Sequence, residues 1–436
     1  MKLRYVFSAP GMFSLNSCGR EMDNPEEYIK FAEMVKEGVD LIRTDINKKI
    51  DGVKFGMDVL FNAFTEKHVG EWLRKYGTFG FEKLYADSGG LQIVTLGKQI
   101  DDEMKYKIYG TQSCADFAMC FDEIPVRVVN AFDSKSNRTV IGNRLYYPSL
   151  KKESAIKTAN NIKEQIEILD KFKTDTLVHY IVQGNNHQDM YEWFDDGARI
   201  LTDKHFEKIG GVSIGFVCLG NGQLESIEML VGYHRIMKDF GIEKTKKHVH
   251  LLGFGSVKRL LPVLYIMKSK LLPDDLTISF DSTSFSMSYI MGRFTDDEGK
   301  EVGKDPEDVR RMFEKVYNYF QDIYHKHVPN LDKERFIDHL VKEVRSIANT
   351  INNAPDDIRP VVHANTVLTT CWQLVGFAEQ VKRILQKAEN DNSPLGMIKH
   401  VKDFNDYEAW YREFGKFVKS NRVKRESFVT LDSFFE

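Results

Sequence analysis

The sequence predicts a (β/α)8 TIM-type barrel carrying inserted and C-terminal helices, and three observations predict it. The first is a series of short apolar runs, each ending in a polar side chain or a glycine. Tyr85-Ala86 runs into Asp87-Ser88-Gly89-Gly90, Phe117-Ala118-Met119-Cys120-Phe121 into Asp122-Glu123, and His179-Tyr180-Ile181-Val182 into Gln183-Gly184. Gly210 to Gly215 is a small-residue strand, His250-Leu251-Leu252 meets Gly253, and Leu276 to Phe280 ends in Asp281. Strands that each deliver a polar group at their C-terminal end are how such barrels build active sites. The second observation is what lies between the runs. Glu153 to Phe172 repeats Ala155, Ala159, Ile162, Ile166 and Leu169 at helical spacing, and alternation of this kind implies a parallel sheet covered by helices. The third is size. A chain of 436 residues, 42% hydrophobic, has ample material for a barrel of roughly 250 residues.

Each element follows in order. Residues 1–80 hold strand-like runs at Leu3 to Phe7 and Val53 to Leu60, with a helix-like stretch from Pro25 to Val35. From 84 to 281 strand ends and amphipathic segments alternate, and 290–304 is polar and reads as a loop or linker. Asp305-Pro306-Glu307-Asp308 then supplies an N-cap, a proline at the first helical position and acids in the first turn. Val309, Phe313, Val316 and Phe320 line one face of that helix. A second helix is expected to carry Phe336, Leu340, Val344, Ile347 and Ile351, a third to span about Thr366 to Gln386, and a fourth to surround Phe404 to Val418. The expected division is residues 1–289 as the main part of the catalytic barrel. Residues 290–436 form a mostly helical appendage, available to complete the barrel and to contact nucleic acid.

Bulk composition narrows the function. Lys+Arg is 61 against Asp+Glu 64, a formal charge of −3, so any nucleic-acid contact must come from a local basic stripe. Cys18, Cys114, Cys120, Cys218 and Cys371 are scattered without a CxxC pair, which indicates neither a disulfide framework nor a thiolate zinc site. No segment approaches the ~20 apolar residues of a membrane span, and the apolar run at Leu3 to Phe7 is too short for a signal peptide. The expectation is a soluble cytoplasmic protein, in the host cytoplasm if the source is viral. A homodimer is compatible with this reading but not required by it.

Asp87, Asp122 and Asp281 each end a strand, so a closed barrel brings them to one mouth. A lone aspartate at a strand end is commonly just a loop cap. Three of them, interleaved with Gln183 and glycines, point instead to covalent or acid/base chemistry on a polar substrate. The rival enzyme reading is a metal-dependent hydrolase, because His248-Val249-His250 puts two imidazoles on one face of a strand. That pair opens a late strand rather than closing the first, and His325-Lys326-His327 lies in helical sequence where an i, i+2 pair diverges. A non-catalytic nucleic-acid-binding subunit of the same fold is the second rival, and it would have no need of three aspartates.

The ordered series DSGGLQ at 87–92, FDE at 121–123, IVQG at 181–184, GGVSIG at 210–215, LLGFG at 251–255 and FD at 280–281 resembles the motifs of tRNA-guanine transglycosylases. The resemblance covers about 200 residues. It implies a barrel enzyme that exchanges guanine for a 7-deazaguanine without cutting the backbone. By motif it makes Asp281 the nucleophile on the sugar C1′ and Asp87 the acid/base. Asp122, Gln183 and the Gly211 amide would read the base edge, with Ser88, Gln92, Leu252 and Phe216 also in the base site. Four departures accompany the match. The family's CxCxxC zinc cluster is missing, and only His363, in Val362-His363-Ala364-Asn365, sits near its histidine's place, so no cofactor and no structural zinc are expected. Leu91 stands where the bacterial enzymes carry an aromatic. Phe216 replaces a glutamate that helps accept an aminomethyl cation, which favours a neutral 7-substituent such as the 7-cyano group. Ser282 to Met287 lacks the Pro-Thr-Arg stretch of the tRNA enzymes. Together these departures resemble the DNA-modifying branch, the phage and bacterial 7-deazaguanine DNA transglycosylases.

The expected partners are therefore DNA, with tRNA as the alternative, and a free 7-deazaguanine base. The candidate contact is the stretch 412–425, where Arg412, Lys416, Lys419, Arg422, Lys424 and Arg425 face a single acid, Glu413, with Phe414 and Phe417 interleaved. Lys244 to Lys247 and Lys258-Arg259 are smaller clusters. A solvated helix face is the bland reading of each.

Overall fold

The computed structural model describes residues 2–8, 25–50, 52–65, 77–90, 100–133, 138–146, 148–184, 186–215, 223–254, 260, 263–264, 272–282, 285–286, 291–344 and 346–388. The expected basic stretch at 412–425 and the helix around Phe404 to Val418 lie outside these residues, as do Leu91, Gln92 and Phe216.

Eight parallel strands close into a (β/α)8 barrel. They are β1 (Lys2–Ser8), β2 (Lys54–Asn62), β3 (Leu84–Asp87), β4 (Phe117–Met119), β7 (Leu177–Gln183), β8 (Ile209–Gly215), β9 (His248–Leu251) and β10 (Thr277–Ser282). They neighbour one another in chain order, and β10 closes on β1 with Val6 beside Asp281. Between β4 and the next helix comes an antiparallel hairpin, β5 (Val126–Asp133) and β6 (Arg138–Tyr146), which the apolar-run pattern did not reveal. Because it follows the C-terminal end of β4, the hairpin departs from the mouth side of the barrel.

Alternation along β1 shows how residue pattern becomes position, since successive strand side chains point to opposite faces. Tyr5 packs its ring outward against Phe280, Phe285 and Phe377. Its neighbour Arg4 points inward and makes a two-pronged ion pair with Asp58 of β2, both contacts at 2.5 Å. Asp58 is fully buried, so removing Arg4 would strand a charge inside the barrel at a cost of about 3–5 kcal/mol.

Eleven helices are described: α1 (Pro25–Lys49), α2 (Asp102–Gln112), α3 (Lys151–Lys171), α4 (His187–Ala198), α5 (Asp203–Glu207), α6 (Gln223–Phe240), α7 (Ile242–Thr245), α8 (Pro306–His327), α9 (Lys333–Glu343), α10 (Ile347–Asn352) and α11 (Arg359–Ala388). Among these residues no helix is long and apolar enough to cross a membrane. The start of α8 is as expected, with the Asp305 carboxylate accepting from the Glu307 amide and Pro306 in the first turn. The expected second helix is divided. Ser346 accepts from the Asn349 amide and caps a new helix, so the run through Ile351 becomes α9 and α10. The third begins earlier than its apolar pattern, at Arg359.

Helix α11 lies along α1 against the barrel. Gly38 of α1 makes the close approach possible, because a Cβ there would meet the Leu368 side chain at 2.4 Å. Phe377 reaches Phe280 and Tyr5, and His363 stacks on Phe31 at 3.9 Å. Part of the C-terminal helical region thus belongs to the wall of the barrel.

Candidate active site

Period-two alternation carries one residue from each of five strands to the inner rim: Asn62 of β2, Asp87 of β3, Gln183 of β7, Gly215 of β8 and Asp281 of β10. Asp122 follows three residues after β4. Its segment is held from outside, where the Glu123 amide donates to Thr158 and Asn161 of α3 donates to the Phe121 carbonyl. Gln112 of α2 donates to the carbonyls of both Ala86 and Met119, and Gln165 of α3 in turn donates to Gln112. This buried amide network sets the heights of the β3 and β4 ends, and so of Asp87 and Asp122.

The three carboxylates sit in different surroundings. Asp122 is buried, and Gln183 Nε2 donates to its Oδ2 at 2.6 Å. Burial pushes its carboxyl up to about 7 despite that bond, and nearby Asp87 adds to the rise. Asp87 is also raised by burial, to about 6, with the Gly89 and Ser88 amides pulling it down and Asp281 pushing it up. Asp281 Oδ1 accepts from the Gly253 amide at 2.9 Å and lies 3.2 Å from His250 Nε2. The mouth therefore holds two carboxyls raised by burial, Asp122 to about 7 and Asp87 to about 6, beside a third that accepts from the Gly253 amide. Such separation of environments is how one site assigns acid and base roles.

Polar atoms left without partners mark where a ligand would add hydrogen bonds. Gln183 Oε1 and Ser88 Oγ are buried and have no hydrogen-bond partner among the described residues. Buried polar groups are ordinarily satisfied, and these two, among several such atoms in the protein, lie beside Asp122. Two glycines make room for this corner. A Cβ on Gly215 would fall 2.4 Å from Gln183 Nε2. Gly89 turns at φ +78°, where its Cβ would meet Phe64 at 2.6 Å.

The structure brings Asp87, Ser88, Asp122, Gln183 and Asp281 together, with Leu252, half-buried, following β9 on the same side. It does not bring Gly211 to the rim. Gly211 pairs with His179, four residues below the end of β8 or roughly 13 Å at strand rise, and Gly215 holds the rim position. Gly211 is required for a different reason: a Cβ there would strike the His248 carbonyl at 2.7 Å and the His179 ring at 2.8 Å. Asn62 was missed. Its Oδ1 accepts from the Phe64 and Thr65 amides, which turns Nδ2 to Asp87 Oδ2 at 3.3 Å. The readable signal was a polar side chain closing the apolar run Val59-Leu60-Phe61.

Below the rim the barrel interior is polar. His248 and His250 both meet Ser279 Oγ at 2.8 Å, Tyr85 OH lies 3.3 Å from His248 Nε2, and His179 Nδ1 meets Ser213 Oγ at 3.0 Å. Burial holds His179 and His248 well below the usual histidine range, so both are neutral. Among the described residues no group of three or more His, Cys, Asp or Glu is arranged to hold a metal. His363 is buried in the α11–α1 contact, and that burial lowers it to about 3.

No family model matches this chain, and no curated protein matches it.

Proposed function

We propose that the protein is a base-exchange transglycosylase that replaces guanine in DNA with a 7-deazaguanine through a covalent aspartyl-sugar intermediate. The observation that carries this reading is the mouth itself. One carboxylate held by donors, Asp281, shares the mouth with Asp87, whose carboxyl burial raises to about 6, and an Asp122–Gln183 pair beside them has acceptor capacity to spare.

In this reading Asp281 attacks C1′ as the C1′–N9 bond breaks, and Asp87 gives its proton to the departing guanine. The incoming base then returns a proton to Asp87 from N9 as that nitrogen attacks C1′ and releases Asp281. Atoms, charge and the sugar configuration balance over the two displacements. Asp122 would accept from the N1 and N2 donors of guanine, and Gln183 and Ser88 would complete the base edge. Asn62 would hold Asp87 in place. The reacting guanine has to leave the base stack, so the site requires a flipped or single-stranded nucleotide.

DNA is favoured over tRNA by the absent Pro-Thr-Arg stretch after Asp281 and the absent CxCxxC cluster. A neutral 7-cyano base is favoured by Phe216. The test is incorporation of labelled guanine into matched DNA and tRNA, with denaturing gels to capture a protein–nucleic acid adduct. Label in DNA together with an adduct lost in Asp281→Ala is expected. Labelling of tRNA alone would reassign the polymer, and labelling of neither would end the transglycosylase reading.

A further inference from the structure

We infer that His250 is a positioning residue for Asp281, with its own hydrogen placement set by a chain of polar groups inside the barrel. His250 Nε2 lies 3.2 Å from Asp281 Oδ1, and an ionised carboxylate can only accept. Nε2 therefore carries a hydrogen. Nδ1 of the same ring lies 2.8 Å from Ser279 Oγ, and in the neutral ring it is the bare nitrogen and accepts the hydroxyl hydrogen. Ser279, having given its one hydrogen, accepts from His248 Nε2 at 2.8 Å. That nitrogen is also 3.3 Å from the Tyr85 hydroxyl. Each link is buried, so water does not compete for these hydrogens. With both imidazoles neutral, the order Tyr85, His248, Ser279, His250, Asp281 admits one self-consistent assignment once the carboxylate is fixed as acceptor.

The consequence falls on the two oxygens of Asp281. His250 Nε2 and the Gly253 amide both end on Oδ1, and Oδ2 has no donor among the described residues. Oδ1 is thus anchored by two donors, and Oδ2 is the oxygen left to bond the sugar carbon. This last step rests on the transglycosylase reading; the hydrogen placement on His250 does not. Stepping back by two residues from the rim of β9 and β10 identifies these groups: Asp281 leads to Ser279, and His250 to His248.

Two measurements test this. Nitrogen-15 spectra of histidine-labelled protein, with His250 assigned by its loss in His250→Gln, should show a protonated Nε2 and an accepting Nδ1. A Ser279→Ala protein should show a mixture of the two tautomers. A hydrogen on Nδ1 with bare Nε2 would overturn the inference, whatever the activity. In adduct formation under single turnover, His250→Phe should slow the step about 10- to 100-fold, the range for losing a hydrogen bond to a charged group, with nucleic-acid affinity within about threefold. His250→Gln, whose amide nitrogen reaches the same place, should recover most of the rate. Equal losses in both variants, or unchanged rates in both, would overturn the positioning role. A wild-type protein that forms no adduct at all would sink the transglycosylase reading, leaving the tautomer spectra to decide His250.

Discussion

Asp122 combines a cost to the fold with a proposed use in base recognition. Its carboxyl sits at about 7 in the folded protein, against ~3.9 for an unperturbed aspartate. Between those values the folded chain keeps a proton that the unfolded chain has released. Stability therefore falls as pH rises from about 4 to 7, and the penalty is fully present above 7. Asp122→Asn removes the titration and can still accept from Gln183. It should raise the melting temperature at pH 8, by an amount equivalent to one to a few kcal/mol, and the gain should vanish toward pH 4. Thermal melts across that range check this, and a pH-independent gain would contradict it. The same variant should bind guanine about 10- to 150-fold more weakly, because an amide hydrogen would face the donors of the base at roughly 1–3 kcal/mol. Discrimination against a purine lacking the 2-amino group would fall with it. In the wild type, base affinity should rise as pH climbs through 7, since binding uses the ionised form. Asp281→Ala and Asp87→Ala should each leave a folded protein with exchange abolished or severely reduced, measured by label incorporation; wild-type rates in either would remove that residue from the site.

Neighbouring strands cooperate through the spaces they leave. Gly215 at the end of β8 lies against the Gln183 side chain at the end of β7, and the two residues are register partners. Gly215→Ala would push Gln183 off Asp122, because the new methyl would occupy the position Nε2 now holds. The flexible end of a side chain can move away, so the fold should survive with a small change in melting temperature. Base affinity should drop about tenfold, as expected for one lost hydrogen bond to a charged group. Unchanged affinity would show that the Gln183 contact is dispensable. The α11–α1 contact is the helical counterpart, where Gly38 admits Leu368. Bulk at Gly38 should destabilise the barrel wall without touching the mouth, which separates wall from site in a melting assay.

At the scale of the whole molecule, the near-neutral formal charge of −3 leaves polymer binding to a local cluster. Lys416, Lys419, Arg422, Lys424 and Arg425 form the densest basic run in the chain. Neutralising all five should weaken DNA binding broadly and flatten its salt dependence, by about 0.9 in slope per lost phosphate contact on duplex or about 0.7 on single strands. Base selectivity should not change, because the proposed function assigns that discrimination to the mouth. A five-site variant with the wild-type salt slope would place the polymer elsewhere on the surface.

The alternation of apolar runs and amphipathic segments was enough to determine the barrel, because period two and period 3.6 are local properties of the chain. It was also enough to place Asp87, Asp122, Gln183 and Asp281 on one side, since every strand of a parallel barrel ends at the same mouth. Depth along a strand was not legible. Gly211 and Gly215 share a face of β8, and only the register with β7 decides which one reaches the rim. Partnership across the barrel was equally hidden. His248 and His250 had the look of a metal pair, and pairing of β9 with β10 put both imidazoles on the Ser279 hydroxyl. Tertiary structure alone decided the upward shifts of Asp87 and Asp122, because burial and groups from neighbouring strands set them. Residue type is written in sequence; depth, partner and dielectric are consequences of closing the barrel.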